Sequence, residues 1–357
     1  MSTATIETLQ EKVLDGYVIN RQEALELYQH STLNDLGAVA NALRLQINGD
    51  KIATYLIDRN INYTNVCVTY CKFCAFYRED GDKEGYVNEA EKIIHKVTEA
   101  KEKGCTQILV QGGHHPRLTL DWYLNMISKV KKTHPDVTFH SFSPPELIHF
   151  SGLFKMPVIE ILKKFKEAGM DSMPGGGAEI LSDRVRKEIA PLKATTSEWL
   201  GVMRDVHSLG MRSTATMMFG HVETIEERIE HVFLIRELQE ETGGFLGFIP
   251  WLYQPGNESL GLKSASGQEY LKTLALSRII LNRALPNLQA SWVTPGKKIG
   301  QLGLMYGAND LGSIMLEENV VAATGLRYLM SVDEMRRLIK EMGYEPHQRD
   351  TFYNLVN

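Results

Sequence analysis

Cys67, Cys71 and Cys74 lie in one short segment, NYTNVCVTYCKFCAFYR, and the chain holds a single further cysteine, Cys105. Such clustering is metal chemistry in a reducing compartment, whereas a disulfide framework spreads its cysteines along a secreted chain. Iron–sulfur cubanes are normally ligated by four thiolates. Three thiolates on one loop cap three irons and leave the fourth open to bind a cofactor or substrate directly. Cys105 is a poor fourth ligand: it begins a predicted strand whose far end is near Gly112, and seven residues at ~3.3 Å each place it roughly 23 Å from that end. It reads as a small core residue. Zinc is the rival metal, but structural zinc takes four Cys or His ligands with a second pair downstream, which this sequence lacks. His114 and His115 form a His-His-Pro turn, which reads as loop chemistry.

The loop follows the first of a series of β-rich runs that alternate with amphipathic segments, the mark of βα units and a parallel sheet. After a helical stretch over 6–47, strand 52–63 leads into the cysteines, and a helix follows over 87–103. CTQILVQGG precedes helix 121–132, and VTFHSFSPP precedes helix 158–168. MDSMPGGG precedes helical stretches over 182–209, RSTATMMFGH precedes 225–241, and GFLGFIPWLY precedes 268–285. Two weaker units, NLQASWVTPG and QLGLMYGAND, bring the count to eight, the second leading toward a helix over 331–341. The expected architecture is α/β: a complete eight-stranded (β/α) barrel of the TIM type over 51–330. An N-terminal helical extension (1–50) precedes it, and a C-terminal helix and tail (331–357) pack on it.

In such a barrel the loops leaving the carboxyl ends of the strands build the site. Gln111, Gly112 and Gly113 end the second strand, where glycine permits close backbone approach to a ligand. His140, Ser141 and Ser143 end the third, and only one set of alternating residues there can face inward. PGGGAE, ending at Glu179, follows the fourth strand and lacks the Lys-Ser/Thr of a phosphate loop; Glu179 offers a carboxylate that could accept hydrogen bonds there. His221 and Glu223 follow the fifth, and Ile249, Pro250 and Trp251 end the sixth, offering an apolar surface for a flat ring.

Composition narrows the partner. The 357 residues are 43% hydrophobic and 23% charged with a net charge of −5, so the basic footprint of a nucleic-acid binder is missing. No apolar run approaches the ~20 residues of a membrane span, and the N-terminus has no signal-like apolar region. The expectation is a soluble, cytoplasmic protein acting on a small molecule, with no nucleic-acid or membrane partner.

The C-x₃-C-x₂-C loop, with Phe73 before its last cysteine, resembles that of the radical S-adenosylmethionine superfamily. Within it NYTNVCVTYCKFCAFYR, SFSPPE, GMDSMPGGGAEIL, FGHVET, FIPWLYQP and SWVTPGKKIGQLGLMYGANDLGSIMLEENVV resemble the cyclic dehypoxanthinyl futalosine synthase family of menaquinone biosynthesis. The resemblance implies a 4Fe–4S cluster on Cys67, Cys71 and Cys74 and S-adenosylmethionine held by Phe73, Gln111, Gly112, Gly113, Ser141, Glu179, Ile249 and Pro250. His114 replaces the acidic residue usual after the glycines. It also implies dehypoxanthine futalosine as substrate, a reductant such as flavodoxin or ferredoxin, and a general base, for which His221, Asp310 and Glu317 are candidates. Arg78 is a candidate cation for the substrate carboxylate. Aminofutalosine synthase and the F420-chromophore subunits are the alternatives among enzymes, and a metal-binding structural protein the alternative outside them.

Overall fold

The computed structural model describes residues 3–256, 260–326 and 329–356. Three helices come first, α1 (Thr3–Leu14), α2 (Arg21–His30) and α3 (Leu33–Asn48). A reciprocal box starts α2: Asn20 Oδ1 accepts from the Glu23 amide, and Glu23 Oε2 accepts from the Asn20 amide, satisfying two donors the helix itself leaves unpaired.

The strand expected over 52–63 is two, β1 (Ile52–Leu56) and β2 (Asp58–Asn62), with different neighbours. β2 opens a curled six-stranded parallel sheet that continues in chain order through β3 (Gln107–Gln111), β4 (Thr138–Ser141), β5 (Ser172–Met173), β6 (Arg212–Phe219) and β7 (Phe245–Leu252). β1 lies between β8 (Asp310–Ser313) and β9 (Glu345–Gln348), parallel to both. The helices α4 (Ala90–Lys101), α5 (Leu120–Thr133), α6 (Pro144–Phe154), α7 (Val158–Ala168), α8 (Asp183–Ile189), α9 (Thr196–Ser208) and α10 (Ile225–Thr242) connect the larger sheet. α11 (Gly267–Leu281), α12 (Lys297–Gly303) and α13 (Val332–Glu341) belong to the C-terminal third.

Two of the eight expected strands are corrected. NLQASWVTPG meets its neighbours only through isolated parallel bridges, Phe248 with Leu288 and Gln289 with Asp310. QLGLMYGAND is mostly helix α12 and a turn, and the strand begins only at Asp310. Glycines explain the misreading: a Cβ on Gly300 would sit 2.6 Å from Trp292 Cβ, and one on Gly303 2.7 Å from Ala290 Cβ, so α12 lies directly on the preceding segment. Two further elements were not expected. Pro144 and Pro145 open α6, where a missing amide hydrogen costs nothing, and the tail supplies β9.

Buried apolar side chains form one cluster running from Ile6 in α1 to Tyr344 before β9. α3 packs on α11 and α2 on α10, so the N-terminal helices share one core with the sheets. Among the described residues no helix is long and apolar enough to cross a membrane.

The tail is fastened by a buried ion pair. Arg349 Nε lies 2.5 Å from Asp310 Oδ2 and Nη2 lies 3.1 Å from Oδ1. Thr54 Oγ1 and the Gly312 amide donate to the same carboxylate. Removing one member strands the other charge in the interior. Arg349→Met is expected to cost about 3–5 kcal/mol in urea unfolding, and adding Asp310→Leu to recover much of it, because a pair replaced by apolar groups leaves no orphaned charge.

Candidate active site

Strand alternation decides which side chains face the lumen. Asp58 and Asn60 on β2, Gln107, Leu109 and Gln111 on β3, and His140 on β4 line one wall of a cavity of about 270 Å³. Thr214 and Thr216 on β6, and Ile249 and Trp251 on β7, line the opposite wall. Ser141 and Pro250 have the other parity and lie outside this lining, as do Phe73, Gly112 and Gly113. Ser141 is fully buried, and its hydroxyl has no partner among the described residues.

At the rim, the β3 turn passes hard against the cysteine loop. A Cβ on Gly112 would meet the Tyr63 ring at 2.5 Å, and one on Gly113 would meet Val66 O at 2.2 Å. Only glycine fits either place. Two backbone bonds tie these segments, Gly113 N to Thr64 O (2.9 Å) and Val68 N to His114 O (3.2 Å). Beneath the turn, the buried Glu146 carboxylate accepts from Tyr63 Oη (2.7 Å), Ser143 Oγ (2.6 Å) and the Gly112 amide (3.2 Å). Burial pushes this carboxyl up to about 7 against those hydrogen bonds.

Among the described residues the three cysteines form no disulfide; Cys71 is buried, and Cys67 and Cys74 are half-buried. Burial pushes the Cys71 thiol up to about 12 and raises Cys74, with the Lys193 cation opposing both. Alone Cys71 and Cys74 would stay protonated; thiolates at this depth require a cationic partner, which iron would supply. Among the described residues no three Cys, His, Asp or Glu side chains converge on a single ion. A cubane binds each thiolate at a separate iron corner and needs no such convergence. Donor type and placement therefore fit the cluster better than zinc.

Lys193 is a site residue that sequence reasoning missed. Its ammonium lies 2.8 Å from Glu179 Oε1 and 5.4 Å from the centre of the Phe73 ring. Burial works against this charge, but Glu179 and the nearby thiol hold its pKa above the ordinary lysine value. Arg186 brackets the same turn, donating to the carbonyls of Gly177, Ala178 and Ala194. Glu179, itself in a left-handed conformation (φ 41°), thus presents a paired carboxylate to the lumen. Nothing in the spacing of APLK marks Lys193, because α8 folds it back on the turn. Glu146 did carry a signal: Ser143-Pro-Pro-Glu146 has the S-x-x-E spacing of a helix start.

None of the three candidate bases faces the lumen. His221 Nε2 contacts Met218 O (3.0 Å) and Nδ1 accepts from the Val222 amide (2.8 Å), so its ring shapes a turn. Asp310 is held by Arg349 at the start of its strand, not at the rim. Glu317 turns outward to Arg59 and Lys96, whose hydrogen bonds outweigh burial and hold its pKa below the ordinary glutamate value. Arg78 is likewise committed, to Glu84 and to the carbonyl of Tyr77. Cys105 is buried, and its thiol donates to Gln107 O, in keeping with a core residue.

Two outcomes follow. Alanine at Cys67, Cys71 or Cys74 is expected to abolish the iron and sulfide of the reconstituted protein, while Cys105→Ala retains about four of each. For Glu146, the folded value of about 7 exceeds that of an unfolded glutamate, so the folded chain binds more protons between about pH 4.5 and 7. Stability from this group is full below that window and is lost as pH rises through it. Glu146→Gln is expected to flatten this loss, on the order of 3 kcal/mol, in unfolding measured from pH 5 to 8.

Comparison with known proteins agrees with this geometry. Residues 61–235 match the radical SAM superfamily model, and 242–357 match the CofH/MqnC C-terminal region. The chain is 42% identical to the cyclic dehypoxanthine futalosine synthase of Halalkalibacterium halodurans, covering 99% of this chain and 95% of that one. It is 45% identical to the Streptomyces coelicolor protein of the same name, covering 98% and 88%. It is also 40% identical to the 5-amino-6-(D-ribitylamino)uracil–L-tyrosine 4-hydroxyphenyl transferase of Methanocaldococcus jannaschii, covering 95% and 97%. Among solved structures, methylornithine synthase shares the fold, with a TM-score of 0.71 at 19% identity over 95% of this chain and 97% of that one. A thiol loop at the rim of a curled parallel sheet, matched by family and fold alike, makes this chain a member of the radical SAM superfamily, in its CofH/MqnC family.

Proposed function

We propose that the chain cyclises dehypoxanthine futalosine in the futalosine route to menaquinone, as the name of its relatives at 42% and 45% identity describes. The observation that carries the reading is the two-sided lumen. Trp251, Ile249, Val293 and Met315 offer an apolar surface for a flat ring, and Asn60, Thr214, Thr216 and Ser291 offer hydroxyl and amide partners for a sugar.

The superfamily's 4Fe–4S cluster and S-adenosylmethionine supply, when bound, a carbon-centred radical that takes hydrogen from an unactivated carbon. Everything else falls to the protein. Cys67, Cys71 and Cys74 hold the cluster, and Gln111, Gly112 and Gly113 let the cofactor approach the backbone. Glu179, fixed by Lys193, takes the ribose hydroxyls, while Phe73 and Ile249 pack nearby. The lumen holds sugar and ring in reacting geometry, which an intramolecular addition rewards strongly.

Closure of the two sheets into one eight-stranded barrel is part of this reading. Supporting it, Ala290 N donates to Asp310 O, Gln289 N to Phe248 O and Ile314 N to Leu56 O, bridging the gap between β7 and β1. Residues 1–50 then brace the barrel from outside, and 331–357 close its base. The similarly matched 4-hydroxyphenyl transferases supply a second reading, in which tyrosine is the radical's target.

Substrate deuterated at ribose C4′ separates the two. The cyclase is expected to release free 5′-deoxyadenosine carrying deuterium, and the enzyme to be inert with L-tyrosine and 5-amino-6-(D-ribitylamino)uracil. Unlabelled 5′-deoxyadenosine, or transfer of a 4-hydroxyphenyl group, would sink the proposal.

A further inference from the structure

We propose that His140 is the general base that takes the ring proton once the new carbon–carbon bond has formed, an assignment that rests on the cyclase reading above. Five titratable side chains line the lumen, and four are already engaged. Asp58 is bonded to Ser313 and Gln107, and Glu179 to Lys193. Glu318 accepts from the amides of Val320, Val321 and Ala322, and Arg349 is paired with Asp310. His140 uses one nitrogen only: Nδ1 lies 2.7 Å from Ser172 Oγ, and Nε2 has no partner among the described residues.

Register fixes the height of this imidazole. Asn60, Leu109, His140 and Ser172 are successive partners across four strands, one inward-facing layer below Gln111 at the rim. A substrate lying beneath the cofactor rests at that layer. With Ser172 Oγ accepting from Nδ1–H, Nε2 carries the lone pair toward the cavity. Burial, with Arg349 adding to it, lowers the pKa of this histidine, so the ring rests neutral.

The step balances simply. Radical addition leaves the ring carbon at the new bond still carrying hydrogen. Aromaticity returns when that C–H bond breaks, its proton passing to Nε2 and one electron passing to an acceptor of the iron–sulfur class.

The test uses the cluster-loaded enzyme, reductant and C4′-deuterated substrate, scoring cyclised product per 5′-deoxyadenosine released. His140→Gln is expected to lower that ratio at least tenfold, with deuterium still transferred, and imidazole is expected to restore it in His140→Gly. A ratio within twofold of wild type in His140→Gln overturns the assignment. Loss of deuterium transfer in the wild-type enzyme refutes the cyclase reading instead. If the variants do not fold, a wild-type structure with substrate bound decides: Nε2 within about 3.2 Å of the reacting C–H, or one water away, supports the assignment. A ring carbon out of reach of both overturns it.

Discussion

A guanidinium cannot be buried without partners, and the Arg349–Asp310 pair turns that rule into architecture. Asp310 begins β8 and Arg349 follows β9, while Thr54 of β1, the strand between them, donates to the same carboxylate. Three strands from opposite ends of the sequence are locked at one charge. Above that charge the lumen can be lined with polar groups without collapsing, because its base is already sealed. The Tyr353 ring, 3.9 Å beneath the guanidinium carbon, completes the seal.

The rim uses charge differently. Three thiols that would have to ionise to hold a cluster share one corner of the rim with a carboxylate, and such a set repels itself once charged unless a cation sits among them. Lys193 fills that place, with Arg186 behind it. Glu179 thereby meets a cation on each side, Lys193 at 2.8 Å and Arg186 at 3.6 Å. The glycine turn needs its own support, and Glu146 gives it through the Gly112 amide.

What was readable in the sequence follows from how local each signal was. The cysteine spacing is complete within eight residues, and the first six strand–helix units carry strong apolar periodicity, so both could be read directly. The seventh segment meets its neighbours only through isolated bridges, and the end of α12 with the turn after it fills most of what looked like the eighth strand. That shift moved Asp310 from the expected rim to the base and made a structural ion-pair partner look like a base. Glu317 failed for a related reason: Met315 takes a left-handed conformation (φ 47°), which breaks the alternation that would have aimed it inward. Lys193 and Arg349 were invisible because each acts on a partner far along the chain. His140 could be seen, but its facing depended on register, which one sequence does not disclose.

The insertion of β9 beside β1 sets an order of events during biosynthesis. The ribosome delivers the cysteine loop early, and the strand that closes the base of its cavity comes last. Until that tail arrives, β1 lacks one neighbour, and the polar interior stands open from below. Assembly of the metal centre and completion of the chamber are therefore separable in time, and a nascent chain exposes its three thiols to iron donors and oxidants alike. Contacts between such distant segments also form slowly, which lengthens the interval in which the loop must be protected.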